Sequence, residues 1–310
     1  MTNTMTWAGV LPAITTPFQP DLSVDHAFLA RHCAWLVDNG CTGIVALGSL
    51  GEGQTLRLEE KREVLKTCVD AVGRRVPIVA GVSALSTADA VETARTADDA
   101  GCRGLMVLPP YVYVGDWREM KAHVSAVLRA TKLSAMLYNN PIAYKVDFLP
   151  VQVSELLDEH ENLHAIKESS ADVRRVAALR EIVPEDRLRI LCGVDDLIVE
   201  AAAMGADGWI AGLVNAFPHE SVKLFDLAQR GRHVEAIALY KWFLPLLRMD
   251  TVPKFVQLIK LLQEEIGMGS SRVRPPRLEL HPQEQADVRR VLAKALQAKP
   301  DVVIGASSHA

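Results

Sequence analysis

The chain has 310 residues, of which 49% are hydrophobic and 23% charged, with a formal net charge of −4 at pH 7. This is the mix of a globular domain with a sizeable core, and basic residues scattered without a continuous basic face argue against a nucleic-acid partner. Five cysteines without a CxxC pair suit free thiols rather than a disulfide framework. No uncharged apolar run approaches the roughly 20 residues needed to cross a bilayer, and no export signal is readable at the N-terminus, so a cytoplasmic location is expected.

In chain order, short apolar runs alternate with stretches of helical period. Strands are expected at 10–15, 43–47, 77–81, 104–108, 135–138, 163–167, 188–192 and 209–211. Between them lie well-marked helices, such as 25–39 ending at Gly40 and 59–72 ending at Gly73. The turns Ala100-Gly101-Cys102-Arg103-Gly104 and Gly205-Ala206-Asp207-Gly208 each close a helix and open a strand. Eight such units, spaced at roughly 20 to 35 residues, imply an α/β protein of the (β/α)8 TIM barrel class, which takes about 250 residues. After 218 the strand signal stops and helices follow at 218–229, 234–247, 254–266 and 283–298, with a Gly, Ser and Pro-rich linker at 267–276. The expected organisation is a barrel over 7–230, a C-terminal helical extension over 231–298 and a disordered tail at 299–310.

Active sites of such barrels form at the C-terminal ends of the strands. The reactive groups there are Thr15, Thr16, Ser49, Glu52, Tyr111, Tyr138, Asn139, Asn140, Lys167, Glu168, Cys192, Asp195, Asp196 and Asn215. Lys167 ends an otherwise apolar strand, on one face with Leu163 and Ala165. If that face is the barrel interior, desolvation favours a free amine able to add to a carbonyl; the alternative is a lysine paired with Glu52 or Glu168. Tyr138 ends the preceding strand and is either a proton shuttle beside the lysine or a core tyrosine. Gly48-Ser49-Leu50-Gly51-Glu52-Gly53 can turn backbone N–H groups and the Ser49 hydroxyl onto a carboxylate, or is simply a tight turn. It is not a phosphate loop, since no Gly-Lys-Ser/Thr follows. No histidine spacing suggests a metal, and Asp195-Asp196 read as a helix N-cap and a first-turn acid.

Taken together, Gly48-Ser49-Leu50-Gly51-Glu52, Leu108-Pro109-Pro110-Tyr111, Tyr138-Asn139-Asn140-Pro141 and Ile166-Lys167-Glu168 resemble the dihydrodipicolinate synthase / N-acetylneuraminate lyase family of class I aldolases, over about 7–280. The resemblance implies Lys167 as a Schiff-base lysine and Tyr138 as the proton-transfer group. It also implies a substrate-binding set of Gly48, Ser49, Leu50, Gly193 and Ile210, a small 2-oxo or 2-imino acid substrate, no cofactor, and a homo-oligomer, dimer or tetramer. Three positions depart from dihydrodipicolinate synthases. Ser49 and Leu50 stand where those enzymes carry two threonines, Val112 where a second tyrosine reaches across a dimer interface, and Ala143 where an arginine is expected. On this count their proton relay and their dicarboxylate-recognising cation are both absent.

The segment 138–147, with Gly193-Val194-Asp195-Asp196, Asn215-Ala216-Phe217-Pro218, Trp242-Phe243-Leu244-Pro245 and Arg274-Pro275-Pro276-Arg277-Leu278, is instead similar to a subgroup that degrades sugar acids or hydroxyproline. Its nearest members are 1-pyrroline-4-hydroxy-2-carboxylate deaminases. The alternatives are dihydrodipicolinate synthesis, a 2-keto-3-deoxy sugar acid aldolase or dehydratase, and, of another class, a ligand-binding barrel without turnover.

Overall fold

The computed structural model describes residues 5–111 and 113–300. The eight apolar runs become eight parallel strands: β1 Gly9–Pro12, β2 Ile44–Ala46, β3 Ile78–Val82, β4 Gly104–Val107, β5 Ser134–Asn139, β6 Leu163–Glu168, β7 Arg189–Cys192 and β8 Gly208–Ala211. Helices cover their outer side, so the strands are buried on both faces and carry apolar residues continuously rather than alternately. Each strand pairs with its sequence neighbours, β1 pairs with β8, and a bridge between Ala13 and Val45 joins β1 to β2. The result is a (β/α)8 barrel.

Partners in register point to the same face, so the pairing defines the interior. Leu11 is beside Ile210, Met106 beside Met136, Tyr138 beside Lys167, Lys167 beside Leu191, and Leu191 beside Gly208. The N-terminal end of the barrel is plugged by Trp7, whose ring lies against Gly104 and whose Nε1 donates to Ser134 Oγ at 2.8 Å. The other end carries the loops.

Local chemistry fixes the helix ends. Asp25 caps His26–Asp38 by accepting from the Phe28 N–H at 2.9 Å, and Gly40 follows that helix at φ 94°, a conformation costly for any residue with a Cβ. Asp116 and Glu119 form a reciprocal capping box at the start of Trp117–Ala130. Gly73 ends Leu58–Val72 in ordinary helical geometry, not in the left-handed region usual for a terminal glycine.

Pro218–Gln229 completes the eighth unit, and His233–Leu247, Phe255–Glu265 and Pro282–Gln297 follow. These last helices fold back onto the barrel. Trp242 Nε1 donates to the Ala295 carbonyl at 2.8 Å, and the Arg274 guanidinium reaches Glu60 and the Leu22 carbonyl. Lys299 pairs with Glu220, and the rest of the expected disordered tail, from 301 on, lies outside the described residues. All five cysteines are free and buried, and among the described residues no helix is long and apolar enough to cross a membrane.

Behind β1 a polar knot ties the barrel to the C-terminal helices. Asn215 donates to the Ala13 and Gly212 carbonyls, His32 Nε2 lies 3.1 Å from the Asn215 carbonyl, and Thr15 Oγ1 donates to Gln263 Oε1 at 2.7 Å. Burial lowers the His32 pKa from 6.5 to about 4, only partly opposed by its bond to Asn215. Because the folded protein keeps this imidazole neutral, its contribution is full above pH 6.5 and is lost as pH falls toward 4. Between pH 7 and 5 that loss is expected to be about 2 kcal/mol, measured by urea unfolding as the difference between the wild type and His32→Gln. Equal pH dependence in the two proteins would contradict it.

Candidate active site

Lys167 and Tyr138 lie side by side at the open end of the barrel, 7% and 6% exposed. The lysine Nζ stands 4.1 Å from the centre of the tyrosine ring, and the tyrosine hydroxyl accepts from Asn140 Nδ2 at 3.1 Å. Neither carboxylate offered by the alternative reading is available to the lysine. Glu52 is paired with Lys260, and Glu168, one residue out of phase on β6, faces away from the interior and accepts from Asn139 Nδ2 and the Ser170 N–H.

Space around the amine comes from Gly193, just past β7. A Cβ there would fall 2.5 Å from Lys167 Cε and 2.0 Å from Ser169 Oγ, so any side chain displaces the lysine. Ile210 is on the same inward face of β8. Gly81 on β3 serves the opposite side: a Cβ would meet the backbone of Leu47 and Gly48 at 2.9 Å, so its absence lets the glycine-rich loop cross the barrel mouth.

That loop is held under strain. Leu47 and Glu52 flank it at φ 64° and 53°, in the left-handed region that residues with a Cβ avoid. Its anchors are deep. Glu52 is fully buried and accepts from Lys260 Nζ at 2.6 Å and from the Arg274 N–H at 3.0 Å, while Thr16 Oγ1 donates to the Gly51 carbonyl at 2.6 Å. Burial lowers the Lys260 pKa to about 8, with Glu52 pulling the other way. Among the described residues no hydrogen bond occupies the backbone N–H groups of Ser49 and Leu50, although the Leu50 side chain packs into the core. Two open N–H groups beside the Ser49 hydroxyl are the kind of donors that can receive an anion.

Two further tyrosines converge on Ser49. Tyr111 OH is 3.1 Å from Ser49 Oγ and also takes a hydrogen bond from Gln54 Nε2, and Tyr144 OH bonds to Ser49 Oγ from another side. The Tyr144 ring is edge-on to Tyr138, with centroids 5.6 Å apart. Burial raises the pKa of both Tyr111 and Tyr144, so both are neutral phenols able to pass a proton without holding a charge. Tyr144 was not among the residues singled out by sequence. Its position depends on the four-residue helix Pro141–Tyr144, which Asn140 caps by accepting from the Ala143 N–H at 3.0 Å. Ala143 itself is exposed, and Val112 lies outside the described residues.

The remaining strand-end groups are elsewhere. Thr15 and Asn215 belong to the knot behind β1, and Cys192 is a buried thiol whose pKa burial pushes up to about 12. Asp195 does not cap its own helix. Fully buried, it accepts from Trp209 Nε1 at 3.0 Å and from the Gly212 and Leu213 N–H groups, and so ties the loop after β7 to the loop after β8. The local Asp-before-helix pattern suggests a cap, but these long-range donors prevail. No group of three or more His, Cys, Asp or Glu among the described residues is arranged to hold a metal ion. A cavity of ≈ 450 Å³ lies against Gln54, Leu58, Lys61, Leu85, Asp89 and Tyr111, and Lys167 does not line it. The arrangement thus joins a buried amine, neighbouring phenols and a loop with open backbone N–H groups at one end of the barrel.

Known proteins match this architecture. The model of the dihydrodipicolinate synthetase family matches residues 6–295. The chain is 33% identical over 288 residues to a 4-hydroxy-tetrahydrodipicolinate synthase of Natronomonas pharaonis, covering 93% of this chain and 97% of that one. Among solved structures it is similar to the 4-hydroxy-tetrahydrodipicolinate synthase of Methylacidiphilum fumariolicum SolV, with TM-score 0.90, 29% identity and coverage of 94% and 97%. It is also similar to a prophage protein of the dihydrodipicolinic acid synthase family from E. coli K12 in complex with pyruvate, with TM-score 0.88, 27% identity and coverage of 94% and 99%.

Because a methyl group at 193 would meet the side chains of Lys167 and Ser169 and no backbone atom, Gly193→Ala is expected to lower stability by about 1–3 kcal/mol while reducing imine formation with pyruvate by about 100-fold. Near-normal imine formation in the variant would contradict this placement of the amine.

Proposed function

This chain belongs to the dihydrodipicolinate synthetase family, and on that premise we propose that it is a Schiff-base-forming lyase or deaminase of a small 2-oxo or cyclic 2-imino acid. The observation that carries the proposal is the buried pair of Lys167 and Tyr138 in register on the inward face. In this reading the amine of Lys167 adds to C2 of the substrate. A 2-oxo acid then loses water, and the resulting iminium acts as an electron sink for C3. The substrate carboxylate sits on the Ser49 hydroxyl and the N–H groups of Ser49 and Leu50, next to Gly48. Tyr138 moves the protons, with Tyr144 and Tyr111 as its neutral neighbours around Ser49. The reading includes a homo-oligomer in the cytoplasm and needs no cofactor.

The finer assignment is 1-pyrroline-4-hydroxy-2-carboxylate deaminase. Lys167 adds to C2 of the cyclic imine and the ring nitrogen leaves C2 while remaining on C5. A proton departs from C3 and the C4 hydroxyl leaves as water. Migration of the double bond makes C5 an imine. Hydrolysis at C5 releases ammonia, and hydrolysis at C2 frees Lys167 and the 2-oxo semialdehyde. Leu50 and the exposed Ala143 support this choice, since neither supplies the polar partner that a second carboxylate or an ammonium group requires. A missing charge-assisted hydrogen bond costs about 1.5 to 3 kcal/mol. A second reading, 4-hydroxy-tetrahydrodipicolinate synthesis, is favoured by the names of the relatives.

Purified protein is expected to release ammonia and 2-oxoglutarate semialdehyde from 1-pyrroline-4-hydroxy-2-carboxylate, with negligible condensation of pyruvate and aspartate semialdehyde. Tyr138→Phe should lower turnover by about 100-fold or more. Efficient condensation would replace the first reading with the second, and near-normal turnover of the tyrosine variant would leave Tyr138 as a packing residue.

A further inference from the structure

Three buried side-chain polar atoms among the described residues lack a hydrogen-bond partner: His32 Nδ1, Ser169 Oγ and Asp250 Oδ1. The first belongs to the knot behind β1. The other two are at the barrel mouth on the side of β6 to β8, and Ser169 shares with Lys167 the space left open by Gly193.

Asp250 comes from outside the barrel strands. It ends the short turn Arg248–Asp250 between the helices His233–Leu247 and Phe255–Glu265. Its carboxyl lies where a side chain on Gly212 would be, with Oδ1 2.0 Å from the Cβ position of that glycine. Gly212 follows β8 directly, two residues past the inward-facing Ile210. The Asp250 carboxyl is therefore placed at the C-terminal end of β8, where the barrel opens. The neighbouring arginine does not claim it, since Arg248 approaches Asp196 at 3.5 Å. Burial and the Asp195 carboxylate raise the pKa of Asp250, and Lys167 is the cation close enough to oppose them.

A substrate bonded at C2 to Lys167, with its carboxylate on the Ser49 loop, extends its remaining carbons away from that loop, toward the rim where Gly193, Gly212 and Asp250 lie. We propose that Asp250 is a specificity-determining residue whose unpartnered Oδ1 accepts a hydrogen bond from a hydroxyl on C4 of a 2-oxo acid held on Lys167. The proposal rests on the Schiff-base reading above. It gives the unpartnered Oδ1 the hydrogen-bond partner that buried polar atoms normally have. It also makes the preferred substrates 4-hydroxy-2-oxo acids rather than unsubstituted ones.

The test uses a pair of probes differing by that hydroxyl, 4-hydroxy-2-oxobutanoate and 2-oxobutanoate, with imine formation trapped by cyanoborohydride and followed by protein mass. The wild type is expected to half-saturate at a concentration at least about 10-fold lower with the hydroxylated probe. Asp250→Ala should bring the two within about 2-fold, and Asp250→Asn, which keeps an acceptor oxygen, should retain most of the preference. Trapping of 2-oxobutanoate should stay within about 3-fold of wild type in both variants, which reports an intact fold and an intact amine. A wild type that does not discriminate, or an Asp250→Ala protein that still does, overturns the assignment to Asp250 alone. Absence of any adduct in the wild type removes the Schiff-base reading and this proposal with it.

Discussion

Everything proposed for this chain depends on one register, that of β5 against β6. With Tyr138 beside Lys167, both side chains enter the barrel mouth; a slip of one residue would turn the lysine outward and bring Glu168 in. The register is strongly specified, because the same slip would also turn Ala165 and the rest of the inward row of β6 outward. A buried lysine is an expensive interior group, and the barrel holds it without an ion pair to either neighbouring glutamate. Glu52 and Glu168 each have their own partners.

The second constraint is the buried ion pair of Glu52 and Lys260. The loop that presents Ser49 has left-handed backbone at Leu47 and Glu52, each such position costing on the order of 1–3 kcal/mol. Glu52 is fixed by Lys260 and by the Arg274 N–H, and the Arg274 guanidinium holds Glu60 and the Leu22 carbonyl. Breaking a buried pair by removing one partner typically costs about 3–5 kcal/mol, enough to hold such a loop. The C-terminal extension therefore supports the proposed site. It supplies Lys260, from a helix, and Arg274, from the following linker, to the loop that presents Ser49 on one side, and Asp250, from a turn, to the opposite rim.

Much of this was legible in the sequence, for identifiable reasons. Parallel strands buried on both faces read as continuous apolar runs, and all eight fall where those runs are, with ends shifted by a few residues. The buried, inward position of Lys167 was legible because it shares a strand face with Leu163 and Ala165 in an apolar run. Asp195 was misread because its local pattern is that of a cap, whereas its donors, Trp209, Gly212 and Leu213, are brought near only by the closing of β7 onto β8. Tyr144 was missed because its hydroxyl reaches Ser49 through a one-turn helix with little periodicity to betray it. The hydroxyls of Tyr111 and Tyr144 meet at Ser49 within one chain. Lys260 pairs with Glu52 across 208 residues, a distance that no local signal spans.

The claim at the centre of this account is that the Lys167 amine is the nucleophile. Incubation of the wild-type protein with pyruvate and borohydride, followed by peptide mass mapping, tests it most directly. The account predicts a single reduced pyruvate adduct on the peptide containing Lys167, absent from a folded Lys167→Ala protein. An adduct on another lysine, or turnover that continues with no adduct formed, would contradict it.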